Sequence, residues 1–204
     1  MTELSKSEEI FMFLGFHTAY WNKAEEALDK LLVNAIGDTA KAHILTSGAN
    51  AKKRVQFLKL IFEECCPEEP WIDVALAALT AFDALRKNRN VLAHGVALGL
   101  RDEEGELNLK VKTLHASRRA HKQVSIDGDK LVDEVNQVRA LTAHLNTLRA
   151  HIYHRDGAHI EIIDVLRRER PALPDKFPLP ALLQTPESQN YSEPLIRRSR
   201  PPEE

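Results

Sequence analysis

The chain has few of the devices that staple or anchor a protein. It holds two cysteines in 204 residues, and Cys65 and Cys66 are neighbours. A vicinal pair closes no loop, so a disulfide framework is excluded and a reducing compartment is expected. No apolar run approaches the roughly 20 residues that a membrane-spanning helix needs. The longest early run, Ile10 to Phe16, follows acidic residues rather than a basic segment, so it does not read as a signal peptide. The expected location is cytoplasmic, with no membrane partner. An excess of one charge is missing too: 28 basic side chains stand against 30 acidic ones, for a net charge of −2. Without a global basic field, any contact with nucleic acid must come from a local patch. Also absent are a P-loop, a G-x-G-x-x-G loop and an H-E-x-x-H helix, which argues against nucleotide triphosphate chemistry and the common zinc-hydrolase design.

What the sequence does have is helical periodicity. Ser5-Lys6-Ser7-Glu8 fits a capping box. From there Ile10, Phe13, Leu14, His17, Tyr20, Trp21, Ala24, Leu28, Leu31, Leu32 and Ala35 recur at helical spacing until Gly37-Asp38. His17 lies on the apolar face and reads as a core or interface histidine. Asp38 or Thr39 caps a short helix to about Thr46, and Ser47-Gly48-Ala49-Asn50 breaks the chain. A third helix follows over about 51–64, turning Val55, Leu58, Ile61 and Phe62 inward. Its Lys52, Lys53, Arg54 and Lys59 read either as a phosphate-facing patch or as an ordinary solvated face. A fourth helix begins near Trp71 and carries Val74, Ala75, Ala78, Leu79, Phe82 and Leu85.

The period then changes. Val96, Leu98 and Leu100 alternate, Asp102-Glu103-Glu104-Gly105 makes a turn, and Leu107, Leu109 and Val111 alternate again, which predicts an inserted β-hairpin. Residues 114–124 read as a basic, irregular stretch, either lying near RNA or forming an ordinary solvated loop. Asp127 or Asp129 opens the last long helix, whose seam is Leu131, Val135, Val138, Leu141, Leu145, Leu148 and Ile152. A shorter helix is expected over about 159–170. Eight of the ten prolines lie from Pro171 onward. The expected architecture is mainly α: an antiparallel bundle of four to five helices with the hairpin after the fourth. Residues 1–170 form the domain, and 171–204 a proline-rich tail expected to be disordered.

The chemistry concentrates where the fourth helix ends, in Arg86-Lys87-Asn88-Arg89-Asn90-Val91-Leu92-Ala93-His94-Gly95. An imidazole serves as acid or base near neutral pH, and a guanidinium matches phosphate oxygens while staying charged. RNA supplies its own nucleophile, the 2′-hydroxyl. His94 and Arg89 are therefore a sufficient minimum for RNA cleavage if two copies meet, because the reaction needs both a base and an acid. On a regular helix five residues turn by about 140° net, so Arg89 and His94 would not share a face, whereas Arg86, Asn90 and His94 would. Three ways out stay open: the helix loosens toward Gly95, Arg89 reaches around on its long stem, or Arg86 contributes.

The R-N-x-x-x-H pattern of Arg89, Asn90 and His94, on an amphipathic helix in an all-α chain, resembles the HEPN superfamily of helical proteins rich in metal-independent ribonucleases. The resemblance implies catalytic roles for Arg89 at the phosphate and His94 in proton transfer. It implies that Asn90 orients the site or contacts substrate; Arg86, on the helical face of Asn90 and His94, is the substrate-binding candidate. It further implies a homodimer with facing motifs, no metal or cofactor, RNA as substrate, a toxin or phage-defence role, and in some members an antitoxin partner. The alternative is a helical dimer that no longer cleaves and serves as an interaction or regulatory module, with the Arg-Asn-His cluster merely capping the helix. His151 and His154, with His144 and His159 nearby, are spaced for a metal but more simply read as surface histidines.

Overall fold

A computed structural model describes the backbone of residues 6–94, 96–99, 108–115, 120–154 and 170–183. Five helices dominate it: α1 Lys6–Ile36, α2 Thr39–Thr46, α3 Ala51–Cys65, α4 Ile72–His94 and α5 Gly128–Ile152. The helix ends follow from local chemistry. Gly37 adopts φ +74° and sends its N–H back to the Val33 carbonyl, closing α1 in the left-handed conformation that glycine tolerates. Asp38, Asn50 and Asp127 each accept the N–H of the residue three positions on, so they are the N-caps of α2, α3 and α5.

The main core lies where four amphipathic faces meet. α1 gives Trp21, Leu28, Leu31 and Leu32; α3 gives Val55, Leu58 and Phe62; α4 gives Ala78, Leu79, Phe82 and Leu85; α5 gives Val138, Leu141, Leu145 and Leu148. Trp21 packs on Phe82 with ring centroids 4.9 Å apart. α1 lies along α5 over the longest shared face. The alanines of α4 leave room for neighbours to approach closely. Fully burying one of the large side chains is worth about 1.5–3 kcal/mol, so this seam rather than helix propensity holds the bundle.

Between α4 and α5 the structure differs from the expected lone hairpin. Three strands, β1 Val96–Gly99, β2 Asn108–His115 and β3 Ala120–Asp127, form an antiparallel sheet in the order β1-β2-β3. β2 and β3 pair without interruption from Asn108↔Asp127 to His115↔Ala120, and the register of β1 on β2 shifts between Ala97 and Gly99. β3 runs through the segment read as an irregular loop. Its sequence offers only Val124 and Ile126 as alternating bulky apolar residues, too few to stand out among His121, Lys122 and Gln123. Ile126 explains why the strand is held: it is buried with Ile10 and Leu131 in a second, smaller core, against which Phe13, Leu14, Val91, Leu92 and Leu183 pack. The expected turn at 102–105, Ser5 of the capping box, Gly95 and residues 159–169 of the expected last helix lie outside the described residues.

The tail expectation needs correction over its first part. Residues 170–183 form an extended strap that packs on the bundle. Leu173 and Phe177 reach the main core, and Phe177 meets His144 edge to face with centroids 5.3 Å apart. Arg170 donates to the His151 carbonyl, the His151 ring bonds the Pro171 carbonyl, and Lys176 pairs with Asp73 at 2.9 Å. Proline ends helices, but an extended proline-rich segment can still lay alternate apolar side chains into a groove. Among the described residues, no helix is long and apolar enough to cross a membrane.

Candidate functional site

α4 buries Val74, Ala78, Ala81, Leu85 and Asn88 in steps of three and four, so its last two turns carry the motif on the flank of that stripe. Arg89 and Asn90 are half-buried, and His94 stands exposed in the final turn. The Arg89 side chain spans the gap that helical geometry leaves. Its Nη1 lies 3.2 Å from Nε2 of His94 and 3.4 Å from the Asn90 side-chain oxygen. A guanidinium has no acceptor, so in this contact Nε2 accepts and the imidazole carries its proton on Nδ1. Of the three open solutions, the structure shows the long-stem one. One arginine gathers Asn90 and His94 at the solvent-facing end of the helix.

Arg86 is not part of that group. Its Nε and Nη2 bond the Asp83 carboxylate at 2.9 and 2.8 Å, and Lys87 reaches the other oxygen of the same carboxylate at 3.2 Å. Burial raises the Asp83 carboxyl, but the hydrogen bonds from Arg86 and Lys87 outweigh it and hold the group below its usual range. The structure thus points the Arg86 guanidinium at Asp83, and its own position is about two helical turns from His94.

Beneath the motif sits His17 of α1, 2% exposed, with Nε2 lacking any partner. Burial first, and then the charge of Arg89, lower its pKa to about 4. The imidazole is therefore neutral at neutral pH, and a second positive charge next to Arg89 is suppressed. Sequence periodicity assigned His17 to the interior but gave no hint that it lay beside the motif arginine.

The second feature that sequence reading missed is Asn88. It is 1% exposed and makes three bonds with its side chain. Nδ2 donates to Glu134 Oε1 on α5 at 2.6 Å and to the Ala181 carbonyl at 2.9 Å, while Oδ1 accepts the Leu183 N–H at 2.9 Å. The amide thus acts like one residue of a neighbouring strand, holding the strap by a carbonyl and an N–H two residues apart. Glu134 is 4% exposed, and burial pushes its carboxyl up to about 7, with the Asn88 bond pulling down and the Asp133 charge adding to the rise. A signal was available: Asn88 and Glu134 both fall in register with the buried stripes of their helices.

Elsewhere, the basic residues of α3 are partly committed. Arg54 grips the Asp29 carboxylate with Nη1 at 2.9 and 2.8 Å, and Lys59 donates to Thr80. Among the described residues, no group of three histidine, cysteine or carboxylate side chains is placed to hold a metal ion. No family model, curated protein or solved structure matches the chain.

Proposed function

We propose that this protein is a metal-independent endoribonuclease of the HEPN type, acting as a homodimer. The observation that carries the reading is the contact between Arg89 and His94, 3.2 Å apart at the exposed end of α4. It joins a fixed positive charge to a proton-transfer group on a surface open to a polymer. In the proposed reaction an imidazole takes the proton of the RNA 2′-hydroxyl, and the freed oxygen attacks the adjacent phosphorus. Arg89 stabilises the charge gathering on the phosphorane oxygens. A second imidazole gives a proton to the departing 5′-oxygen. The products are a 2′,3′-cyclic phosphate and a 5′-hydroxyl. Asn90, in contact with Arg89, holds the guanidinium toward the helix end. His17 is the neutral floor under Arg89.

Each chain offers one His94, so the acid and the base come from two copies. A surface suited to pairing lies on α1. Phe11, Met12 and Phe16 are 60%, 37% and 46% exposed, and a Cβ built at Gly15 between them would meet nothing within 4 Å. Isolated exposed apolar residues are ordinary, but Met12 and Phe16 share a face one turn apart with Phe11 on its flank, a patch of the kind that interfaces cover. A toxin or phage-defence role, with an antitoxin as silencing partner, belongs to the same proposal. Analysis of product ends tests the chemistry: cyclic phosphate termini support the proposal, and 3′-hydroxyl termini contradict it.

A further inference from the structure

We infer that the C-terminal end of the strap, Ala181–Leu183, is a latch on the motif helix, held by the buried Asn88 amide and released when the Glu134 carboxyl beside that amide acquires charge. Three independent features lead there. First, the polar hold is confined to few places. Among the described residues no backbone–backbone hydrogen bond ties the strap to a helix, and its C-terminal end hangs on the two bonds to the Asn88 amide. Leu179 and Leu182 are 70% and 50% exposed, while Pro180 is buried and Leu183 is half-buried against the small core that also holds Val91 and Leu92. Second, the strap does not fill the space beneath it. An open groove of about 540 Å³ runs between it and α5, lined by Asp133, Asn136, Gln137 and Ala140 on one side and residues 177–181 on the other. Third, the junction contains orphaned polar atoms: Glu134 Oε2 and Gln137 Oε1 are buried without partners.

A buried carboxyl with one donor and one empty oxygen is tolerable while neutral. Ionised, it needs water or a cation. Among the described residues no cation is offered. Asp133 on the same helix adds repulsion, and α4 contributes only the neutral Asn88 amide. α1 faces the small core with Ile10, Phe13 and Leu14, and the charge acting on its nearby His17 comes from Arg89. Asp127, where β3 meets α5, is paired with Lys130. The strap supplies Ala181 and Leu183. The remaining route to hydration is to lift the Ala181–Leu183 end, which exposes Asn88 and Glu134 to the water of the groove. With the docked carboxyl at about 7 and the released one at 4.5, opening becomes about tenfold easier between pH 6 and pH 8.

The latch does not depend on the ribonuclease reading, and its test uses no RNA. Hydrogen exchange at the Leu183 amide is measured on the full chain at pH 6 and pH 8, corrected for intrinsic rates, with the core amides of Leu28 and Leu31 as reference. The expected result is about tenfold lower protection of Leu183 at pH 8, steady protection in α1, and no such pH dependence in Glu134→Gln. Equal Leu183 protection at both pH values, loss in step with α1, or an unchanged pH dependence in Glu134→Gln would each overturn the proposal. Should the variant not fold, the wild-type comparison of Leu183 with α1 decides alone.

Discussion

Replacing His17 with leucine should convert a pH-sensitive core into an indifferent one. In the folded protein the imidazole is neutral down to about pH 4, whereas in the unfolded chain it protonates near 6.5. The unfolded state therefore binds more protons between these values, and stability falls as pH drops through that window. A tenfold difference in proton affinity between the two states is worth about 1.4 kcal/mol, so the full loss is roughly 3 kcal/mol, of which about 2 kcal/mol falls between pH 7 and pH 5. At pH 7, His17→Leu removes an orphaned Nε2 and keeps much of the volume, so its stability should match or slightly exceed the wild type. The gap in favour of the variant should then widen by about 2 kcal/mol at pH 5. Glu134 has the opposite sign, losing stability as pH rises from 4.5 toward 7, but it is common to both proteins and cancels in the difference. Urea unfolding followed by the fluorescence of Trp21 and Trp71, both buried, reads the gap directly. A gap that is the same at pH 5 and pH 7 would refute the burial argument.

Other expectations follow from the same contacts. Asn88→Ala strands Glu134 Oε1 and frees the strap end, and should cost about 3 kcal/mol in urea unfolding; deletion of residues 171–204 should lower the melting temperature, where a tail without packing would leave it unchanged. Phe16→Asp should turn a dimer into a monomer by sedimentation at roughly tens of micromolar; a wild-type protein that is itself monomeric there would remove the composite site.

The helices were legible because their apolar stripes run for many turns and their ends carry capping residues: of the alternatives for α2 and α5 the structure uses Asp38 and Asp127, while Asn50, read only as part of a chain break, turns out to cap α3. β3 was not legible, since a strand held by pairing to β2 and by one buried isoleucine needs little alternation of its own. The docking of residues 170–183 was hidden for a related reason. Proline content reports that a helix cannot form, not whether an extended chain finds a groove. Within the site, the residue types of Arg89, Asn90 and His94 were visible, but their meeting depended on a side-chain rotamer that backbone periodicity argues against. Asn88 and Glu134 lay in the buried register throughout, and only their polarity drew attention away from it.

The central claim is that Arg89 and His94 cleave RNA with the substrate's own 2′-hydroxyl and no metal. The most direct measurement incubates purified protein with end-labelled RNA and with DNA of the same sequence in EDTA, beside His94→Ala and Arg89→Ala. The account expects wild-type protein to cut RNA but not DNA, and each variant to lose about a hundred- to ten-thousandfold in rate while keeping its fold. Cleavage of DNA, loss of wild-type activity in EDTA, or an active His94→Ala protein would contradict it.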